Sequence, residues 1–189
     1  FMMSDSPPER DLEWTEAGIE GAWRYVNRLW RLIAEPSAPL AAIGGEPSDA
    51  IDADGEATLR VMHQTIAAVT EDLEQFRFNR AVAHVRELTN HLGDYSATGS
   101  GHAYIRRKTL ETVVQLIGPM MPHIAEEFWQ MLGHKTLLAD AAWPIADPAF
   151  LVDETVTIAV QIKGKLRGTI EMPRDADSAA VEQAALALE

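Results

Sequence analysis

Apolar residues recur at three- and four-residue steps through Ile19, Ala22, Trp23, Val26, Leu29, Trp30 and Ile33. That spacing lays one broad apolar stripe along a helix from about Thr15 to Glu35. Its opposite face carries Arg24, Asn27, Arg28 and Arg31. Residues 36–55, PSAPLAAIGGEPSDAIDADG, show no period and are rich in Pro, Gly, Ala and acid, which predicts a long surface loop. A second helix follows with Leu59, Met62, Ile66, Val69, Leu73 and Phe76 on a narrow seam. A third is expected to begin near Asn79 as its cap and to bury Phe78, Val82, Val85, Leu88 and Leu92. SATGSG at 96–101 separates it from a fourth helix containing Leu110, Val113, Val114 and Ile117.

The fifth element begins in GPMMPHIAEEFW, residues 118–129, where His123, Glu126 and Glu127 fall within about one helical turn. Pro119 is expected to stop the fourth helix, and Pro122 suits the first position of the next, where a missing N–H costs nothing. Ile124, Ala125, Phe128, Met131 and Leu132 then form the buried stripe. Glu126 and Glu127 favour the positive end of the helix dipole by roughly 0.3–1 kcal/mol each, and His123 can pair with Glu127. The rival reading is a metal-binding bundle, encouraged by a second His-x-x-Glu at His84 and Glu87. Di-metal bundles require Glu-x-x-His in that order and two further inward glutamates, so a helix start is expected and no metal.

After WPIADPAFLVDE the period changes to two. Val156, Ile158, Val160 and Ile162 alternate, and Leu166, Ile170 and Met172 resume the pattern after KGK. Because the apolar positions on both strands are even, facing pairs should sum to an even number. A three-residue loop containing Gly164 satisfies this, whereas a two-residue turn would set Ile162 against Lys165. Lys163, Lys165 and Arg167 then gather at the tip and on the wet face. DADSAAVEQAALALE starts a last amphipathic helix. Two strands and one helix rarely make a stable sheet domain alone, so a shortened α/β domain is expected over 151–189.

Composition narrows the class. An apolar content of 47% with five Trp argues for a folded core, and 189 residues suffice for one domain plus a fragment. No run long enough to span a membrane and no signal-peptide pattern occurs, so a soluble cytoplasmic protein is expected. The absence of Cys excludes disulfides and thiolate metal sites. Phe1 stands where an initiator Met is expected, which suggests an excised piece. The formal charge of −13 opposes nucleic-acid binding on average. The local grouping of basic residues decides the matter instead.

Several segments carry a resemblance: SDSPPERDLEW at 4–14, GIEGAWRYVNRLWRL at 18–32, FRFNRAVAHVRELTN at 76–90, PMMPHIAEEFW at 119–129 and VQIKGKLRGTIEMPRDA at 160–176. Together they resemble the C-terminal part of bacterial leucyl-tRNA synthetases, class I aminoacyl-tRNA synthetases. The Pro-His-x-x-Glu-Glu-x-Trp helix is shared with the isoleucyl, valyl and methionyl enzymes; the Lys-Leu-Arg-Gly hairpin, followed by Pro and an Ala-rich helix, points to the leucyl member. Lys163 stands where the family often has Asn, and the loop at 37–55 matches least.

The resemblance implies a mainly α fold: a helical bundle of about five helices, followed by a small α/β piece with a β-hairpin and a helix. It divides the chain into the end of the catalytic core or connector (1–14), an anticodon-binding-type bundle (15–150) and a truncated α/β C-terminal domain (151–189). The parent enzymes activate leucine with ATP and Mg²⁺ and transfer it to tRNA(Leu). Their His-Ile-Gly-His and Lys-Met-Ser-Lys-Ser signatures are absent here, so no catalytic residue and no cofactor is expected in this fragment. Its expected partners are tRNA(Leu) and the remaining domains of the same synthetase, whose parent is expected to be a monomer. Candidate tRNA contacts are Lys163, Lys165 and Arg167 at the hairpin, Arg24, Arg28 and Arg31 on the first helix, and Arg77 and Arg80 with His84 and His91 on the third. Arg106, Arg107 and Lys108 form a further basic run. Each stripe could equally be a solvated face, and the alternative function is a stand-alone acidic helical protein-interaction module.

Overall fold

The computed structural model describes residues 1–36, 38–47, 49–95, 100–152, 155–162 and 164–187. They fall into two compact units, Phe1–Asp147 and Pro148–Glu189. The first is helical: α1 (Met2–Asp5), α2 (Glu16–Ala34), α3 (Ala53–Glu74), α4 (Phe78–Asp94), α5 (Ser100–Ile117) and α6 (Pro122–Met131). The five expected helices are present, and the one-turn α1 packs against α4.

Helix starts follow local chemistry. The Thr15 hydroxyl accepts the Gly18 N–H at 3.2 Å to open α2, and Asp52 accepts the Gly55 N–H at 2.9 Å to open α3. Gly55 is buried because α5 passes close by; a Cβ there would lie 2.5 Å from Ile105 Cδ1. The long loop is therefore shorter than expected, ending at the Asp52 cap. It is also pinned, since Ala41 N–H reaches the Ala103 carbonyl at 3.2 Å.

Helices α3, α4 and α5 pack pairwise, α6 packs on α5, and α2 packs on α6. Met62, Ile66 and Val69 of α3 and Val85, Leu88 and Leu92 of α4 are buried, with Leu110, Val113, Val114 and Phe128 fully enclosed. Two expected stripes need correction. On α2 only Leu29 and Ile33 are buried, while Trp23 is 65% and Trp30 39% exposed. On α6 Met131 is exposed, and Trp129 is buried in its place, stacked on His134 at 3.5 Å. An apolar stripe wider than the packing partner leaves its flank in solvent.

The expected Asn79 cap is also corrected. α4 begins at Phe78, and its cap position, Arg77, makes no side-chain cap bond. The chain turns the corner by backbone bonding instead: Arg77 N–H donates to the Asp72 carbonyl at 2.7 Å and Phe76 N–H to that of Leu73 at 3.1 Å. This is the Schellman ending, whose left-handed position usually holds Gly. Here it holds Phe76, with φ 56°, a conformation costing an L side chain about 1–2 kcal/mol.

The second unit contains the antiparallel strands β1 (Thr155–Ile162) and β2 (Lys165–Pro173) and the helix α7 (Ser178–Leu186). Asp177 caps α7 by accepting the Ala180 N–H at 2.8 Å, and α7 contacts β2. The body of the hairpin has the expected even register, with Val156 facing Met172 and Ile158 facing Ile170. The tip does not. Val160 faces Gly168, but Gln161 faces Leu166 and Ile162 faces Lys165. Arg167 is the extra residue of a β-bulge, which reverses the parity and brings Ile162 opposite Lys165. Gly164, with φ 77°, supplies the left-handed turn position. Leu166 consequently leaves the apolar set and is 62% exposed, with its neighbour Ile162 55% exposed.

Candidate nucleic-acid interface

The hairpin tip is an exposed basic feature. Lys165, Leu166 and Arg167 are consecutive and all exposed, an arrangement strict alternation would not produce and the bulge explains. Lys163 lies outside the described residues.

On α2, Arg24, Arg28 and Arg31 are all exposed. Arg24 pairs with Glu20 at 2.8 Å, both side chains 67% exposed, and such a pair leaves the cation available at little cost. Arg31 Nε reaches the Asn27 carbonyl at 3.4 Å. Arg28 lies over α4, where a Cβ at Gly93 would be 3.1 Å from its Nη2.

The third group is built around a residue that sequence reasoning missed. Asp72 has a side chain only 2% exposed. Arg77 Nε stands 2.9 Å and Arg80 Nε 3.5 Å from its Oδ1, and His84 Nε2 is 3.4 Å from its Oδ2. Neither Asp72 Oδ2 nor Arg77 Nε makes an aligned hydrogen bond, so these are charge contacts, to which His84 contributes only when protonated. Arg77 also donates to Glu71 Oε1 at 2.7 Å. A buried carboxylate needs such counter-charges, so Arg77 is committed to the fold, while Arg80, 55% exposed, keeps an open side. The signal was present in the sequence: Asp72 falls three residues after Val69, on the buried seam of α3.

The run at 106–108 is mostly internal, not a solvated face. Arg106 is 4% exposed and donates to the Tyr95 carbonyl; burial lowers its pKa. Burial, reinforced by Asp52, pushes the Tyr95 hydroxyl up to about 12. Arg107 ties the Ala41 carbonyl to the Leu132 carbonyl and to Glu111. Only Lys108 is exposed. His91 is likewise inside the bundle's polar contacts, with Nε2 2.9 Å from the Thr58 hydroxyl.

His123 and Glu127 are exposed and make no ion pair with each other among the described residues. Glu126 has a role beyond the helix dipole. Its two oxygens accept the N–H groups of Leu138 and Ala139 at 2.8 and 3.0 Å, holding the 3₁₀ turn Leu138–Asp140 against α6. Trp143 donates its indole N–H to Thr70 at 2.8 Å; Trp14 is 72% exposed and meets Phe1 edge-on. Among the described residues no group of three or more His, Asp or Glu could hold a metal ion. None of the described helices is long and apolar enough to cross a membrane.

A helical bundle followed by a basic hairpin is the architecture of a tRNA ligase's anticodon-binding region. Residues 56–183 match the family described as the anticodon-binding domain of tRNA ligase, and the chain belongs to that family. Its relatives specify the ligase further. It is 59% identical to the leucine–tRNA ligase of Paramagnetospirillum magneticum over 99% of this chain and 21% of that protein. It is 52% identical to that of Parvibaculum lavamentivorans over 100% of this chain and 22% of that one. The chain thus spans about a fifth of the length of the curated relatives it matches. Among solved structures, it matches the agnB2 LeuRS of Agrobacterium radiobacter K84, crystallised as a ternary complex with tRNA and LeuAMS. The TM-score is 0.76 at 27% identity, covering 99% of this chain and 24% of that one.

Proposed function

We propose that this chain is the tRNA-binding portion of a leucine–tRNA ligase that activates leucine with ATP and Mg²⁺ and transfers it to tRNA(Leu). The observation that carries the reading is the unbroken similarity to leucine–tRNA ligases along the whole chain. On this reading residues 1–14 belong to the connector from the catalytic core, 15–150 to the helical bundle and 151–189 to the C-terminal domain. The chain itself binds and positions tRNA in the cytoplasm, and the catalytic groups lie elsewhere in the ligase.

The contacts proposed are Lys163, Lys165 and Arg167 at the hairpin, with Arg24, Arg28, Arg31 and Arg80 on the bundle, while Arg77, held by Asp72 and Glu71, shapes the corner that carries Arg80. Arginine and lysine on a projecting turn reach phosphates and add affinity without reading sequence. The test is made on the intact ligase that contains this chain: leucine-dependent ATP–pyrophosphate exchange and leucine charging of tRNA(Leu) are expected. Exchange with a different amino acid, or charging of a different tRNA, would contradict the proposal.

A further inference from the structure

Two side chains of the α3–α4 corner stand open to solvent. The Phe76 ring is 66% exposed on a backbone that a glycine would adopt without strain, touching the edge of Phe78 at 5.8 Å between centroids. In the first turn of α4, Arg80 is held through Nε by Asp72. The terminal amino groups of its guanidinium have no partner among the described residues, so the fork that recognises phosphate is left open. Of the acids nearby, Glu71 is bonded by Arg77, Asp72 is enclosed by Arg77, Arg80 and His84, and Glu74 at the end of α3 is exposed.

We infer that this corner is a single-nucleotide contact. Phe76 stacks on an unpaired base, Arg80 takes the adjoining phosphate, and buried Asp72 is a positioning residue that presets the guanidinium. A planar ring next to a cation is the sequence-tolerant way to hold single-stranded RNA. A protein partner fits less well, because the chain neighbours of Phe76, Glu74, Gln75 and Arg77, are all polar. The inference rests on the tRNA-ligase reading above and adds to it an aromatic contact on the bundle.

The test measures tRNA(Leu) affinity of the intact ligase across a salt series. Phe76→Gly should weaken binding about tenfold while the thermal midpoint holds or rises, because glycine relieves the backbone. Phe76→Tyr should bind within about twofold of wild type, since it keeps the stacking face. Arg80→Gln should lower the logarithmic salt slope by roughly 0.7. Unaltered tRNA binding by Phe76→Gly, as expected if the corner packs on protein, overturns this inference alone. Equal losses in Phe76→Gly and Phe76→Tyr, or an unchanged slope in Arg80→Gln, also overturn it. A wild-type ligase that does not bind tRNA(Leu) overturns both this inference and the reading beneath it.

Discussion

Asp72 holds Arg77 twice: its carbonyl accepts the Arg77 N–H at 2.7 Å, and its buried carboxylate lies 2.9 Å from Arg77 Nε. Backbone and side chain of the corner residue are thus fixed by one acid in the last turn of α3. Replacing Asp72 with Ala removes the carboxylate and strands the cations, which should destabilise the chain by about 2–3 kcal/mol, less than a fully buried pair because Arg77 can rehydrate. Arg80→Ala, at an exposed partner, should cost less than about 1 kcal/mol. Urea unfolding at constant m-value separates them, and equal midpoint shifts would contradict the assignment.

Glu126 is a clamp between α6 and the turn at Leu138–Asp140. A glutamine has one acceptor oxygen where the carboxylate has two, so Glu126→Gln should lose one bond and cost about 1–2 kcal/mol. Exposed Glu127→Gln should stay within about 0.5 kcal/mol of wild type. Thermal unfolding of both variants checks this, and a Glu126→Gln midpoint matching wild type would return the residue to a pure dipole role.

The helices were legible because long apolar periods survive any detail of packing, and the Thr15 and Pro122 starts need only local chemistry. What escaped was tertiary. Arg106 and Arg107 read as a surface run, yet carbonyls at Tyr95, Ala41 and Leu132, distant in sequence, draw them inward. The width of the α2 stripe did not reveal that Trp23 would lack a neighbour. At the hairpin, parity correctly registers the body and then fails, because one inserted residue at Arg167 shifts every position beyond it. Of the proposed contacts, the basic residue types were visible, but Asp72 as their organiser required noticing an acid at a buried phase of α3.

His63 adds a pH dependence. Its Nδ1 accepts the Asp147 N–H at 3.1 Å, and burial lowers its pKa below the ordinary value of 6.5. The unfolded chain therefore binds the proton first on acidification. The stabilisation is complete above pH about 6.5 and is lost progressively as pH falls toward the lowered folded value. Comparing the unfolding free energy of wild type and His63→Gln from pH 7.5 to 5, the advantage of wild type should shrink on acidification. An advantage that grows in acid would contradict the sign.

The isolated chain, with formal charge −13, should bind tRNA(Leu) only weakly and with steep salt dependence, because few phosphate contacts must overcome net repulsion. Fluorescence anisotropy at low and moderate salt measures this. Tight binding that persists at high salt would mean that contacts other than ionic ones dominate.

The central claim, that this chain positions tRNA while chemistry occurs elsewhere, is tested most directly at the hairpin of the intact ligase. Lys165 and Arg167 are both exposed, so Lys165→Ala with Arg167→Ala removes two charges without opening a cavity. The logarithmic salt slope of tRNA(Leu) binding should fall by about 1.5, scaled from roughly 0.7–0.9 per contact. Charging at limiting tRNA should drop, while ATP–pyrophosphate exchange without tRNA stays at the wild-type rate. Exchange that falls in parallel with charging, or an unchanged slope with unchanged charging, would contradict the account.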